Sequence, residues 1–224
     1  DYYQGEDIVE IAQGLVDECG DSLVDEPASG LFRARAQAVI TETQQAALNR
    51  LGMHFDNLFN ENSLTTSGAV WEVVDRLKER GYAYDADGAV WFKATAFGAE
   101  KDRVLVRSNG EPTYRLPDIA YHQNKLDRGY DLIVNVLGSD HAVQYPDIAS
   151  ALKALGYDPD RIHVVIYQFV TLMRDGEVVK MSKRKANYVT LNELLDEVGP
   201  DALRYFMLMR SSDSHLEFDL NLAV

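Results

Sequence analysis

An α/β fold with a parallel sheet, carrying helical and β-hairpin insertions, is what three features of this 224-residue sequence predict. The first is the run Tyr130 to Leu137, in which Leu132, Ile133, Val134, Val136 and Leu137 are almost continuous, the pattern of a strand buried on both faces. The second is its sequel. A helical stretch from Ala142 to Leu155, stopped by Gly156, leads to another apolar strand from Ile162 to Val170, and together they make a strand–helix–strand crossover. The third is a pair of turn dipeptides, Asp87-Gly88 within Tyr82 to Phe92 and Asn109-Gly110 after Asp102 to Arg107, both strong short-range hairpin signals.

Composition limits what such a fold can do. With 46% hydrophobic and 26% charged residues the chain is long enough for one large core, or a core with an inserted subdomain. The apolar stretch from His163 to Met173 is too short and interrupted for a membrane span, which needs about 20 apolar residues, so no membrane partner is expected. Cys19 is the single cysteine, which excludes an internal disulfide and a thiolate zinc cluster and fits a reducing, cytoplasmic setting. A net charge of −14 opposes phosphate at long range, so no DNA partner is expected and any RNA must meet a local patch or another domain. Nine acids and no Lys or Arg occupy the first 32 residues, a face that should point away from phosphate. The chain starts at Asp1 without an initiator Met or a signal-peptide pattern, and is read as a fragment.

The elements follow in order. Gly5 to Cys19 is an amphipathic helix with Ile8, Ile11, Ala12, Leu15, Val16 and Cys19 as its apolar positions and Gly20 as its stop. Gly30 to Leu51 is a second helix, with Leu31, Ala34, Ala38, Ala47, Leu48 and Leu51 expected to be buried, and the two make a helical insertion over residues 1–50. His54 to Phe59 alternates and is aromatic, so it is read as a strand. Glu61 then sits at a strand exit, where an α/β sheet places ligand-contacting groups; read alone, it is equally a surface glutamate. Ser67 to Arg80 is a helix with Ala69 or Val70, Val73, Val74 and Leu77 inward and Gly81 as its stop, and Trp71 and Trp91 are read as core or subdomain anchors.

Tyr114-Arg115-Leu116-Pro117-Asp118 enters a helix, since Pro117 can occupy a first turn and Asp118 suits the positive dipole end. That accounts for Asp118 as a helix-end carboxylate. If the helix begins before Pro117, however, Tyr114 and Asp118 share one face, and a phenol with a carboxylate could grip a planar guanidinium. Gly138-Ser139-Asp140-His141 follows the predicted buried strand at its carboxyl end, where open α/β sheets bind ligands. Asp140 could accept from an ammonium or a ribose hydroxyl and His141 could bond a nucleotide; a helix N-cap and a satisfied polar contact are their structural alternatives. Gln144 lies one turn further on, and Gln168-Phe169-Val170 closes the second strand. Beyond a turn at Asp175-Gly176, helices are expected over Leu191 to Val198 and Asp201 to Met209, with Pro200 at a helix start and Arg204 and Arg210 open to RNA or carboxylates.

Between them lies the most basic stretch of the chain, Lys180-Met181-Ser182-Lys183-Arg184-Lys185. Lysine ammonium groups on a loop leaving a sheet can follow charge as it builds on a departing pyrophosphate, though a short Lys-rich run by itself is more often a solvated turn. Lys180-Met181-Ser182-Lys183 resembles the KMSK signature of class I aminoacyl-tRNA synthetases. With His54-Phe55-Asp56 and Glu61, Tyr114 to Tyr121, Gly138 to His141, and Asp201 to Phe206, ordered so along the sequence, nearly the whole chain resembles the arginyl-tRNA synthetase family.

That resemblance implies the second half of a Rossmann-like nucleotide-binding catalytic domain over residues 51–190, with the hairpin excursion near 82–112, and a helical segment 191–224 leading to an anticodon-binding domain. It implies L-arginine, ATP and tRNA-Arg as partners, with Mg²⁺ on the ATP phosphates and no metal held by the protein. Lys180, Ser182 and Lys183 would be catalytic; Glu61, Tyr114, Asp118 and Asp140 would bind arginine; His141, Gln144, Gln168 and Met181, with Lys180 and Lys183, would bind ATP. Two departures accompany it. The His-x-Gly-His motif of the family is absent from the five histidines, so the fragment alone is expected to be inactive, and Ala186 stands where many related loops carry Gly. The alternative from another class is a non-catalytic module that binds a nucleotide or a protein partner. A cysteinyl or glutamyl synthetase is disfavoured by the lack of zinc-ligand cysteines and by the acidic set Glu61, Tyr114 and Asp118.

Overall fold

The computed structural model describes residues 5–27, 30–180 and 188–223. They fall into two compact units, one of Asn57–Phe169 with Ser212–Ser214, the other of the segments before and after.

Helix α1 (Glu6–Cys19) places Glu6 and Asp7 in its first turn, where negative charge suits the positive helix end, and stops at Gly20 with φ 56°. It is followed by α2 (Leu31–Arg50), and Arg35 of α2 donates to Glu18 of α1 at 2.8 Å. The expected apolar faces are narrower than the sequence suggests. Leu15 in α1 and Ala47 in α2 are buried, whereas Ile8, Ala12, Val16, Leu31, Ala34 and Ala38 are exposed. The apolar residues of α2 are spread around the helix rather than gathered into a stripe, so most of them have no apolar surface to meet.

His54 to Phe59 is not a strand. Phe55 and Leu58 are each 56% exposed, and Phe59 instead stacks on Tyr121 with ring centroids 4.5 Å apart. An alternating segment becomes a strand only where an edge is available to pair with it, and here a ring contact holds it instead. A short helix α3 (Asn62–Thr66) and then α4 (Ala69–Glu79) follow. α4 starts two residues later than expected because its N-cap, Gly68, has φ 86°, and its buried face is Val70, Val73, Val74 and Leu77, which settles Val70 over Ala69.

Strands β1 (Ala83–Ala86) and β2 (Ala89–Phe92) are joined through Asp87 and Gly88 at φ 53° and 74°, the left-handed pair that a tight hairpin requires. β3 (Arg103–Val106) adds antiparallel to β2. The second expected hairpin is rudimentary: its return arm is the bridge Val106 to Pro112, held by Arg107 N–H donating to the Glu111 carbonyl and Thr113 N–H to the Leu105 carbonyl, each at 2.8 Å, before α5 begins. Helix α5 (Arg115–Asp127) leads to β4 (Ile133–Gly138), α6 (Tyr145–Ala154) and β5 (Ile162–Tyr167), and β4 and β5 pair in parallel from Ile133↔Ile162 to Gly138↔Tyr167. α6 begins three residues after Ala142, because Ser139–His141 first make a 3-10 turn and Pro146 then occupies the opening of the helix. Leu77, Phe92, Leu105, Leu116, Ile119 and Leu152 form the centre of this unit's core. The β4 run is covered on one face only: Ile133 and Asn135 are buried, while Val134 and Val136 are 54% and 64% exposed.

The expected strand Ile162 to Val170 divides, because the Gln168 N–H donates to the Ser212 carbonyl at 3.0 Å instead of continuing the β5 ladder. β6 (Val170–Arg174) belongs to the other unit, pairing antiparallel with β7 (Glu177–Val178) through Asp175 and Gly176 at φ 52° and 76°. Helix α7 (Leu191–Leu208) opens with a reciprocal Thr190–Glu193 capping box and breaks at Gly199 (φ 77°, ψ 162°) before Pro200, so the two expected helices are present as two arms. β8 (Leu216–Asp219) lies parallel to β6, and α8 (Leu220–Ala223) follows. Ala47, Leu172, Leu195, Leu203 and Phe218 are central to this second core. Arg204 is engaged by the Leu51 carbonyl. Among the described residues no helix is long and apolar enough to cross a membrane.

Candidate active site

Helix α5 begins at Arg115, before Pro117, which meets the condition that puts Tyr114 and Asp118 one turn apart. The Asp118 N–H donates to the Tyr114 carbonyl at 3.4 Å, while the Tyr114 side chain is 83% exposed and Asp118 is half-buried. Glu61 stands at the N-cap of α3. Burial pushes the Asp118 carboxyl above its usual range and the Glu61 carboxylate adds to that, with His141 and Lys125 acting the opposite way. Thus the loop into α3, the first turn of α5 and the end of β4 converge electrostatically on one half-buried carboxyl. A cation placed between two repelling carboxylates relieves both desolvation and repulsion.

A buried polar network lies behind Asp118. Lys125 donates to Asn135 Oδ1 at 2.8 Å, the Asn135 amide meets His122 Nε2 at 2.7 Å, and His122 Nδ1 meets the Asp118 carbonyl at 2.7 Å. Lys125 has only donors, so Asn135 must present its oxygen to it and its NH₂ to His122; His122 then carries its proton on Nδ1 and donates it to Asp118. Burial holds His122 down at about 4, and holds Lys125 below the usual lysine range, with Arg128 adding to the effect. The Lys125 ammonium also lies 4.3 Å from the centroid of the Tyr121 ring. Sequence reasoning passed over these three residues. The available signals were Asn135, the one polar residue inside the apolar β4 run, and His122, four residues after Asp118 on the buried side of α5.

At the carboxyl end of β4 the chain turns through Ser139, Asp140 and His141, beside the end of β5, because Gly138 pairs with Tyr167. Gln168 therefore leaves the sheet at the same edge as Asp140 and His141. A Cβ on Gly138 would lie 2.7 Å from Asp140 Oδ1, so glycine lets the carboxylate fold back over the strand end. Asp140 Oδ2 and His141 Nε2 are 3.8 Å apart. Gln144 is the N-cap of α6, its carbonyl accepting from Asp147 at 3.1 Å. Asp147, 8% exposed in the first turn of α6, takes Nε of Arg103 at 2.8 Å and Nε of Arg115 at 3.1 Å on a single oxygen. One carboxylate thereby ties β3, the opening of α5 and α6 together.

Lys180 belongs to the unit built on β6, just beyond the β6–β7 hairpin, where the Val179 N–H donates to Leu172 at 2.9 Å. Arg174 of β6 holds Glu197 of α7 at 2.6 Å, and the capping box fixes Thr190, so both flanks of the basic segment are anchored. Met181, Ser182, Lys183 and Ala186 lie outside the described residues. Among the described residues no cluster of His, Cys, Asp and Glu could hold a metal ion.

Residues 9–213 match the family model of the class I (R) tRNA synthetase catalytic domain. The chain is 52% identical over its whole length to an arginine–tRNA ligase of Desulfotalea psychrophila and 54% identical to one of Salinibacter ruber, covering 40% of each. It thus spans about two-fifths of the length of the curated relatives it matches. A solved Campylobacter jejuni chain superimposes with a TM-score of 0.85 at 32% identity, over 99% of this chain and 48% of that one. Thermus thermophilus arginyl-tRNA synthetase shares the fold, with a TM-score of 0.72 at 20% identity over 96% and 47%. With the α/β architecture and the ordered motifs, the match over most of its length places this chain in the class I arginyl-tRNA synthetase family, as part of the catalytic domain.

Proposed function

We propose that this chain supplies the arginine-binding part of a catalytic domain that activates arginine with ATP and transfers it to tRNA-Arg. The observation that carries this reading is the half-buried Asp118, raised by burial and by Glu61, one turn from the Tyr114 phenol. A guanidinium fits that charge deficit, and its planar donor array can engage a carboxylate through two bonds where a lysine ammonium offers a point charge. Asp140 at the end of β4 suits the substrate ammonium; His141, Gln144 and Gln168 flank the same sheet edge and suit ATP.

In the reaction an arginine carboxylate oxygen attacks the α-phosphorus of ATP, the bond to the β-phosphate breaks and pyrophosphate leaves. A terminal ribose hydroxyl of the tRNA then attacks the acyl carbon and AMP leaves. Lys180, Ser182 and Lys183 balance the charge of the departing pyrophosphate, Met181 contributes to ATP binding, and Mg²⁺ accompanies the ATP phosphates. The protein's part is positioning and electrostatics. The remainder of the full-length protein, including its anticodon-binding domain, supplies the other ATP contacts and most of the tRNA surface, and this segment alone gives no appreciable aminoacylation. The setting is the cytoplasm.

Calorimetric titration of the chain and its Asp118→Ala variant with L-arginine, L-lysine and ATP tests the reading. Arginine binding that exceeds lysine binding and vanishes in the variant supports it. A folded full-length protein that binds lysine as well as arginine, or that binds arginine equally without Asp118, would refute it.

A further inference from the structure

We infer that Asn135 is a positioning residue for arginine recognition, acting through His122 and Lys125 to set the place and the charge balance of Asp118. This rests on the reading of Asp118 as the guanidinium acceptor. Asn135 is 6% exposed in the middle of β4, and its two amide atoms are both used across to α5. The arrangement has a single polarity. Turning the amide over would set its NH₂ against an ammonium and its oxygen against the lone pair of His122 Nε2, so the side chain has one satisfied orientation.

Two consequences reach Asp118. His122 Nδ1 bonds the Asp118 carbonyl at 2.7 Å, fixing the backbone from which the carboxylate projects. Lys125, half-buried and kept in place by Asn135 Oδ1, favours the ionised Asp118 against Glu61 from a position that solvent screens poorly. An apolar trio would fill the same space without desolvating an ammonium and an imidazole. What the polar trio adds is a fixed positive charge on the helix that carries the acceptor, attached to the sheet whose end carries Asp140 and His141.

The test uses the full-length protein, with Asn135→Leu, Asn135→Asp and Lys125→Met compared in arginine-dependent ATP–pyrophosphate exchange. The arginine KM is expected to rise about tenfold in each while the ATP KM changes less than about twofold. Asn135→Asp, nearly the same shape as the parent, retains the acceptor for Lys125 but requires a proton on His122 Nε2; ¹⁵N spectra should show imidazolium there and an Nδ1–H neutral ring in the parent. Folded variants with an unchanged arginine KM, or with arginine and ATP KM raised together, overturn the inference. If Asn135→Leu does not fold, the other two variants decide. A parent enzyme whose exchange does not depend on arginine overturns the reading of Asp118, and this inference with it; a normal parent with unaffected variants overturns this inference alone.

Discussion

Asn135 on β4 and His122 on α5 meet across 2.7 Å, which fixes the orientation of the amide and the tautomer of the ring, and burial, with Lys125 adding to it, keeps the imidazole neutral. Above its ordinary value of 6.5 the imidazole is neutral in both folded and unfolded chains, and its environment costs nothing. Between 6.5 and about 4 the unfolded chain binds a proton that the folded chain refuses, so stability falls as pH falls, by about 3 kcal/mol in all. Asp118 works in the other direction: its raised carboxyl destabilises the folded chain at higher pH, and that cost shrinks on acidification. Urea midpoints between about pH 7.5 and 4 should therefore fall less steeply in His122→Gln than in the parent. Parallel curves would remove His122 as the responsible group.

Glu61 raises the Asp118 carboxyl through its negative charge. Glu61→Gln removes that charge while keeping the side chain's shape, so the Asp118 carboxyl should titrate at lower pH, moving toward 3.8. Following the Asp118 ¹³C resonance against pH checks this. An unmoved midpoint would separate the two carboxylates and weaken the case for a shared cation site.

Asp147 serves two guanidinium groups on one oxygen. Asp147→Ala leaves Arg103 and Arg115 without their common partner and should cost about 3 kcal/mol, seen as a lower urea midpoint. Asp147→Asn, which keeps one acceptor, should cost less. The opening of α5 depends on the same carboxylate, so arginine binding should weaken along with stability.

Gly138→Ala is expected to separate function from stability. The new Cβ would collide with Asp140 Oδ1 at 2.7 Å, and the carboxylate must swing away from the strand end. The backbone at Gly138, φ −70° and ψ 159°, is ordinary for alanine, so melting should move by less than about 0.5 kcal/mol. Substrate binding at the sheet edge should weaken on the order of tenfold. A variant that binds as tightly as the parent would show that Asp140 has no part in the site.

Periodicity and turn chemistry make most of the secondary structure legible in the sequence. The α4 face, the Asp87-Gly88 hairpin and the break between Val198 and Asp201 are all local statements, and local sequence decides them. Glu61, Tyr114, Asp118, Asp140 and His141 stood out chiefly through the family resemblance, because read alone Glu61 is equally a surface glutamate and Asp118 equally a helix-end carboxylate.

The tertiary structure decided what depends on distant partners. His54 to Phe59 alternates like a strand but found a ring in Tyr121 and no edge to join. The single apolar run from Ile162 was divided between two sheets once Ser212 took the Gln168 N–H. His122, Lys125 and Asn135 are unremarked letters until α5 lies against β4, whereupon three polar groups from two elements must satisfy one another in the only polarity their donors and acceptors permit. Sequence by itself thus determined most of the helices and the Asp87-Gly88 hairpin, since those follow from backbone preferences and residue type. Only packing determined how Asp118 is supported, since a buried hydrogen bond between elements belongs to the space between them and to neither segment alone.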